Sequence, residues 1–151
     1  MKQLIYVMQF KGKVAPANES GTVLNADTTA PGCAITSVVG PHGISGTLQP
    51  VGDAEAKFQS EVTFTREASF RESGTISFGE NRHRLHFSTV GQGYIGASAD
   101  PQLKHGSVIW RIDRGEGQFD GATGLITSNF FVSDTGEVTD NHFGVIFLKD
   151  E

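Results

Sequence analysis

A few polar residues interrupt otherwise apolar patterns, and these positions are where the sequence could do chemistry. Arg66 falls in the same alternating register as Phe58, Val62 and Phe64. If that register faces the interior of a sheet structure, the buried guanidinium needs an anionic partner, and a ligand carboxylate is one candidate. The alternative is a bulge in the strand that turns Arg66 toward solvent.

Arg84 and His86 form a second candidate, because they share one face of a predicted strand while Leu85 and Phe87 share the other. Together they could hold an anion or move a proton, since histidine titrates near neutral pH. The alternative is that Leu85 and Phe87 belong to the core and that the polar face is solvated.

Two further residues stand at the centres of predicted strands and could line a pocket, namely Trp110 and Asn129. A packing role in the core is the alternative for the tryptophan. The candidate ligand-binding residues are therefore Arg66, Arg84, His86, Trp110 and Asn129, and the sequence assigns no catalytic residue.

Several kinds of site are not supported by the spacing of the residues. His83 and His86 would point to opposite faces of a strand, so they should not ligate one metal ion, and we predict no metal and no cofactor. Residues 43–46 lack the second spacer of a nucleophile elbow. Cys33 stands alone, which excludes an internal disulfide and is typical of a small buried apolar side chain, with a nucleophile as the alternative.

Composition predicts one globular domain spanning residues 1–151. The chain is long enough for one core, and 37% of its residues are hydrophobic. A net charge of −5 without a basic cluster argues against nucleic acid as a partner. The N-terminal residues lack the apolar core of a signal peptide and no apolar run is long enough for a membrane helix, so we expect a cytoplasmic protein that does not engage a membrane.

Alternating apolar residues predict eight to ten short strands and almost no helix, which is typical of an all-β barrel or sandwich. Residues 15–32 look irregular and are predicted to be a long loop, which either covers one mouth of a barrel or lies on the surface. Residues 53–57 could begin a short helix or open a long strand. Residues 72–74, Glu-Ser-Gly, are predicted to form a turn.

A glycine-rich stretch at residues 114–124 lies between two apolar runs and surrounds one large apolar residue, Phe119. We interpret it as a sharp hairpin that buries Phe119 in the core. A dinucleotide-binding role does not fit, because the sixth position counted from Gly115 is Asp120 and β-forming residues follow.

The same stretch, with its Gly-x-Gly-x-Phe-x-Gly-Ala-x-Gly pattern followed by two apolar strands, resembles the C-terminal half of allene oxide cyclase and dirigent-like barrels, over residues 108–149. The resemblance implies a single antiparallel, about eight-stranded, calycin-like barrel. It also implies an acidic residue on the first strand in the cyclases. That position falls near Gln9, and residues 4–10 contain no Asp or Glu.

These observations predict a β-barrel that binds a small apolar or aromatic molecule in its interior, in the manner of a lipocalin-like carrier. One alternative is a cofactor-free isomerase or cyclase that acts on a hydrophobic substrate by cavity shape and one or two polar groups. Another is a packed barrel that acts as a structural or interaction protein. Related barrels associate through their outer faces, so a homo-oligomer is also expected.

Overall fold

A computed structural model describes residues 1–150, which form an all-β fold as predicted. The strands are β1 (Lys2–Pro16), β2 (Val23–Gly40), β3 (Gly43–Arg66), β4 (Ser69–Phe78), β5 (His83–Thr89), β6 (Gly93–Ala97), β7 (Leu103–Glu116), β8 (Thr123–Ser133) and β9 (Glu137–Leu148). None of the described residues belongs to a helix that is long and apolar enough to cross a membrane.

The strands close into an antiparallel ring, which confirms the predicted barrel. Neighbours run in the order β3-β2-β1-β9-β8-β7-β5-β4, and pairing of β3 with β4 completes the circle. The place between β4 and β7 is filled by β5 in one half of the barrel and by β6 in the other half. The nine described strands therefore occupy eight positions around the ring, which agrees with the eight to ten strands that the pattern predicts and with the about eight-stranded barrel that the resemblance implies.

One half of the barrel interior is packed solid with aromatic rings, and we call it the closed half. Phe58 lies across the barrel, with its ring centroid 5.4 Å from those of both Phe87 and Trp110. Phe10 packs beside Phe58 at 5.7 Å, and all four rings are almost fully buried. This aromatic layer separates the closed half from an open half at the opposite end.

The glycine-rich hairpin seals the outer end of the closed half. A short 3-10 turn, Gly117–Phe119, joins β7 to β8 and leaves Phe119 only 2% exposed, as the sequence predicts. Gly117 has φ of 67°, a conformation that favours glycine. At Gly115 a side chain would collide with the backbone of Phe119, so this glycine permits the close approach that buries the ring.

Strands β2 and β3 continue past the closed half of the barrel as a free two-stranded ribbon, which we call the arm (residues 32–51). Pairing shifts where Pro31 faces Glu55 and Gly32 faces Val51, so residues 52–54 bulge out of β3 at the root of the arm. The prediction of a long loop at residues 15–32 is therefore wrong. Only residues 17–22 turn, because the side chain of Asn18 accepts a hydrogen bond from the Val23 N–H and closes the connection.

Two other local predictions are resolved by pairing between strands. Residues 53–57 belong to β3, which is the strand alternative and not the helix. The turn predicted at residues 72–74 is wrong, because Glu72 and Gly74 lie within β4. Gly74 is required there because a side chain would collide with the backbone of Gln59 and Ser60 on β3. Close packing between strands, and not a turn, explains this glycine.

Replacing Phe119 by alanine should destabilise the barrel strongly. The ring is buried against Phe78, with centroids 5.5 Å apart, so its removal leaves a cavity at the sealed end. We expect Phe119→Ala to lower the free energy of unfolding by about 3–5 kcal/mol in urea titrations. Gln118→Ala at the adjacent exposed position is the control and should change it by less than about 0.5 kcal/mol. Equal effects of the two substitutions would contradict the sealing role of Phe119.

Candidate ligand site in the open half of the barrel

The open half of the barrel contains a cavity of about 90 Å³ that opens to solvent at its mouth. Its walls are almost entirely apolar and come from Val14, Leu24, Ala26, Phe58, Val62, Phe64, Phe70, Ile95, Phe130, Val132 and Val138. Three polar residues, Thr28, Glu72 and Asp140, complete the lining. Apolar cavities with a few convergent polar groups bind small molecules in many proteins.

The walls owe their shape to aromatic rings in edge-to-face contact. The centroid of Phe70 lies 6.2 Å from that of Phe64 and 5.9 Å from that of Phe130. Phe70 also covers Gly93 on β6, and Phe130 covers Gly106 on β7, where any side chain would collide with the ring. The glycines therefore let these two rings lie flat against the barrel wall instead of filling the cavity.

Glu72 projects from β4 into this apolar cavity. The Ser60 hydroxyl donates a hydrogen bond of 2.5 Å to Glu72 Oε2. The Thr89 hydroxyl accepts from the Glu72 N–H at 2.7 Å and donates to the Glu72 carbonyl at 2.8 Å. The strand β4 is thus held where its pairing with β5 ends, and the carboxyl group is fixed in position.

Burial raises the pKa of Glu72 to about 8, and the charge of Asp140 contributes to the rise. The hydrogen bond from Ser60 and the indole N–H of Trp110 oppose it, although Trp110 Nε1 lacks a hydrogen-bond partner of good geometry. At neutral pH the carboxyl group of Glu72 is therefore mostly protonated. It can donate a hydrogen bond or a proton inside an apolar cavity.

Asp140 lies on β9 and has a different set of polar neighbours. The Ser128 hydroxyl donates a hydrogen bond of 2.5 Å to Asp140 Oδ1. His142 Nε2 lies 2.9 Å from Asp140 Oδ2, although its N–H direction does not meet hydrogen-bond geometry. The Asp140 carboxyl group and the His142 imidazole are therefore in close polar contact beneath the cavity.

Tyr6 extends this polar cluster beneath the cavity. Its hydroxyl lies 2.9 Å from His142 Nδ1. Burial, together with the charges of Asp140 and Cys33, holds the pKa of Tyr6 well above its usual range, so the phenol stays protonated. A phenol that donates to Nδ1 leaves the proton of a neutral imidazole on Nε2, facing Asp140.

Thr28 adds a hydroxyl group to the lining. It is only 2% exposed, and its Oγ1 has no hydrogen-bond partner among residues 1–150. An unpaired buried hydroxyl is costly, and a polar atom of a bound molecule would satisfy it. Within the same described residues, no three His, Cys, Asp or Glu side chains converge as a metal site requires.

The residues singled out from the sequence lie elsewhere. Arg66 is exposed beside a shift in pairing between β3 and β4, which is the bulge alternative. Arg84 and His86 lie on the outer face of β5, while Leu85 and Phe87 fill the interior. His86 Nε2 lies 2.7 Å from Glu116 Oε2, and the hydrogen bond between them lowers the pKa of Glu116.

Trp110 is fully buried in the aromatic layer, which matches the core alternative, and it lies directly beneath Phe58 of the cavity. Asn129 faces outward and its Oδ1 contacts His105 Nε2 at 2.6 Å. None of the five predicted residues is part of the cavity lining within residues 1–150. The structure brings Arg84 and His86 together on the outer wall and leaves the other three apart.

Several polar residues in and beneath the cavity do carry a signal in the sequence, because they share a strand register with apolar residues. Asp140 and His142 alternate with Val138 and Ile146 on β9, so they share an inward face with apolar residues. Ser60 interrupts the apolar register of β3 in the same way. Glu72 carried no such signal, since the glycine at position 74 suggested a turn.

The buried carboxyl group of Glu72 should make stability depend on pH. The folded protein binds this proton up to about pH 8, whereas the unfolded chain releases it near 4.5. The free energy of unfolding should therefore fall as pH rises from about 5 to 8, and Glu72→Gln should remove that fall. Between these limits, we expect the free energy of unfolding of the variant to rise relative to that of wild type by on the order of a few kcal/mol. Urea titrations at pH 5, 7 and 9 measure this difference.

Glu61→Gln provides the matched control, because Glu61 is an exposed acid on the neighbouring strand β3. Its stability curve should run parallel to that of wild type across the same pH values. If the Glu72→Gln curve is also parallel to wild type, Glu72 does not hold its proton in the folded protein.

Comparison with known proteins supports the fold and leaves the activity open. No protein-family model matches the chain, and none of the curated proteins matches it in sequence. The solved structure of the pterocarpan synthase dirigent protein GePTS1 is similar, with a TM-score of 0.61 and 16% identity over 99% of this chain and 89% of that one. The chain therefore shares the dirigent type of β-barrel fold.

Proposed function

We propose that this protein binds a small, largely apolar molecule in the open half of its barrel. The observation that carries the proposal is an apolar-walled cavity, open at its mouth, into which a protonated carboxyl group, Glu72, projects. Apolar walls supply affinity, and a few convergent polar groups fix the orientation of the ligand.

The lining also indicates the chemistry of the ligand. Phe64, Phe70 and Phe130 present ring faces and edges that favour an aromatic or conjugated molecule. Glu72 and Thr28 can donate hydrogen bonds to an oxygen atom, such as that of a carbonyl, an ether or an epoxide. Asp140 can accept a hydrogen bond from a hydroxyl group. A phenolic or oxygenated apolar compound satisfies all of these groups.

The wider relationship that we propose is to the allene oxide cyclase-like and calycin-like barrels, including the lipocalin-like carriers. Support comes from the glycine-rich hairpin and from the eight positions of the ring. The barrel similarity to a dirigent protein is compatible with this relationship, because small barrels of this width can enclose one ligand.

A cofactor-free isomerase or cyclase is the second candidate, favoured by the unequal environments of the two cavity acids. Glu72 could donate its proton to an oxygen of the bound substrate as the carbon–oxygen bond breaks. A nucleophilic oxygen or carbon of the same substrate would then close a ring and release its proton to Asp140. The similar dirigent protein is described as a synthase, which is compatible with catalysis in such a barrel.

A packed barrel with a purely structural role is less well supported. Such a barrel would be filled along its whole length, whereas here the side chains fill only the closed half. The aromatic layer at Phe58 and Trp110 accounts for packing without using the open half.

Filling the cavity should abolish ligand binding without unfolding the protein. Val62 lines the cavity and Thr63 is the next residue on β3, with its side chain outside. We expect Val62→Phe to lose binding of hydrophobic phenols, ketones and acids, and Thr63→Phe to retain it. The fluorescence of Trp110, the single tryptophan of the sequence, reports occupancy because its ring contacts Phe58 of the lining.

Native mass spectrometry of protein purified from its own host then identifies the bound compound. Failure of every compound in the panel to change fluorescence or melting temperature, together with a bare native mass, would overturn the proposal. Equal binding by the Val62→Phe variant would place the ligand elsewhere.

A separate measurement distinguishes binding from catalysis. With a bound compound in hand, Glu72→Gln should retain binding within about tenfold, because the amide still donates a hydrogen bond. Turnover by a cyclase should fall by about a hundredfold or more, because the proton donor is lost. Conversion of the compound at an unchanged rate by the variant would exclude Glu72 as the acid.

A further inference from the structure

The arm has one apolar face and one polar face. Cross-strand partners share a face, and the pairs Cys33–Pro50, Ile35–Leu48 and Val39–Ile44 lie on the same side. The pairs Thr36–Thr47 and Val38–Ser45 lie on the other side. The ribbon is therefore amphipathic, with a stripe of branched aliphatic side chains along one surface.

This apolar stripe has no cover in the single chain. Val39 is 80% exposed, Ile44 is 73% exposed and Ile35 is 52% exposed. Residues 28–52 contain no Asp, Glu, Lys or Arg, so the arm lacks the charges that usually protect a free strand edge. A long uncharged ribbon of this kind promotes aggregation unless another surface covers it.

A second apolar surface lies on the outer wall of the barrel, formed by Ile5, Val7, Ile109, Leu125, Phe143 and Val145; we call it the wall patch. It spans four adjacent strands, because Ile5 faces Val145 and Val145 faces Leu125 in one row. In the next row Val7 faces Phe143, and Thr127 lies between Phe143 and Ile109. Ile5, Leu125 and Phe143 are each more than half exposed.

The two surfaces adjoin at the root of the arm. The Cys33 thiol, on the apolar face, donates a weak hydrogen bond of 3.4 Å to the carbonyl oxygen of Val7. Arg111 borders the wall patch, and its charge is offset by Asp113 at 3.1 Å. The arm and the wall patch therefore adjoin at Cys33 and Val7 and form one surface, with the Arg111–Asp113 ion pair at its border.

We propose that a second copy of this chain covers this surface, with the arm of each copy packed by its apolar face on the wall patch of another copy. The exposed apolar side chains amount to roughly 400 Å² on the arm and about as much on the wall patch, so mutual coverage buries on the order of 800 Å² per chain, the size of a stable interface.

Packing of two arms against each other is a poorer solution. It covers only the arm stripes, which is about half of that area, and it leaves the wall patches in water. An arm-on-wall contact joins two different surfaces, so it closes as a reciprocal pair or as a small ring. Because the arm leaves the closed half of the barrel, the cavity mouth at the other end stays open, and this inference does not rest on the proposed ligand.

The test measures the mass of the full chain in solution by light scattering after size-exclusion chromatography. Wild type should have a mass of two or more chains at micromolar concentration. Val39→Lys with Ile44→Lys on the arm, and separately Phe143→Lys on the wall patch, should each weaken association by about a hundredfold or more, because each buries an unpaired charge. Thr36→Lys with Ser45→Lys on the polar face of the arm is the matched control and should leave the mass unchanged.

A measurement on the wild-type protein needs no variant. Hydrogen exchange of the arm amides should be slower at high than at low protein concentration, while exchange in β4, which belongs to neither the arm nor the wall patch, should be equal at both. Circular dichroism must show that the monomeric variants keep the wild-type spectrum. If a variant does not fold, hydrogen exchange of the wild-type protein alone decides whether the arm is covered on association.

Several outcomes would overturn the inference. A monomeric wild-type chain with exchange independent of concentration excludes self-association. An arm variant that dissociates while the Phe143→Lys variant stays assembled indicates that arms pair with arms. A monomer that sediments with phosphatidylcholine vesicles, and loses this property in the arm variant, assigns the arm to a lipid surface.

Discussion

The packing of Phe58 against Phe87 and Trp110 is the interaction on which the rest of the barrel depends. These rings span the interior from three different strands, and each centroid distance is within the range of favourable aromatic contacts. Below them the interior is filled and sealed by Phe119. Above them the side chains are smaller or lie flat against the wall, so the same layer that completes the core also forms the floor of a cavity.

The aromatic layer also determines the electrostatics of the cavity. It excludes water from one side of Glu72 and Asp140, and a buried carboxyl group without a cation nearby favours its neutral form. The carboxyl group of Glu72 accepts its side-chain hydrogen bond from the hydroxyl group of Ser60. Asp140 has a hydroxyl and an imidazole close by. The two acids of the cavity therefore have different polar neighbours.

The sequence predicted features that depend on local geometry and missed those that depend on contacts between distant strands. Phe119 was placed in the core correctly because the glycines around it restrict the possible backbone conformations. Gly74 was misinterpreted as part of a turn because its reason for being glycine, the close approach of Gln59 and Ser60, lies on another strand. The same predicted turn includes Glu72, so the sequence does not indicate that Glu72 faces the interior. The inward position of Asp140 was accessible from alternation along β9, but its proximity to Glu72 depends on ring closure.

Strand edges are mostly paired in the barrel and free in the arm. Closure of the ring pairs the strands of the body with neighbours on both sides over much of their length, and such pairing is the usual protection of a β-structure against association. Strands β2 and β3 then run about nine residues beyond the ring and recreate two free edges next to an apolar stripe. Such an extension is hazardous for a monomer, and its lack of charge is one of the observations on which the proposed self-association rests. The cavity mouth lies at the far end of the barrel, so the proposed association and the proposed ligand binding would use separate surfaces.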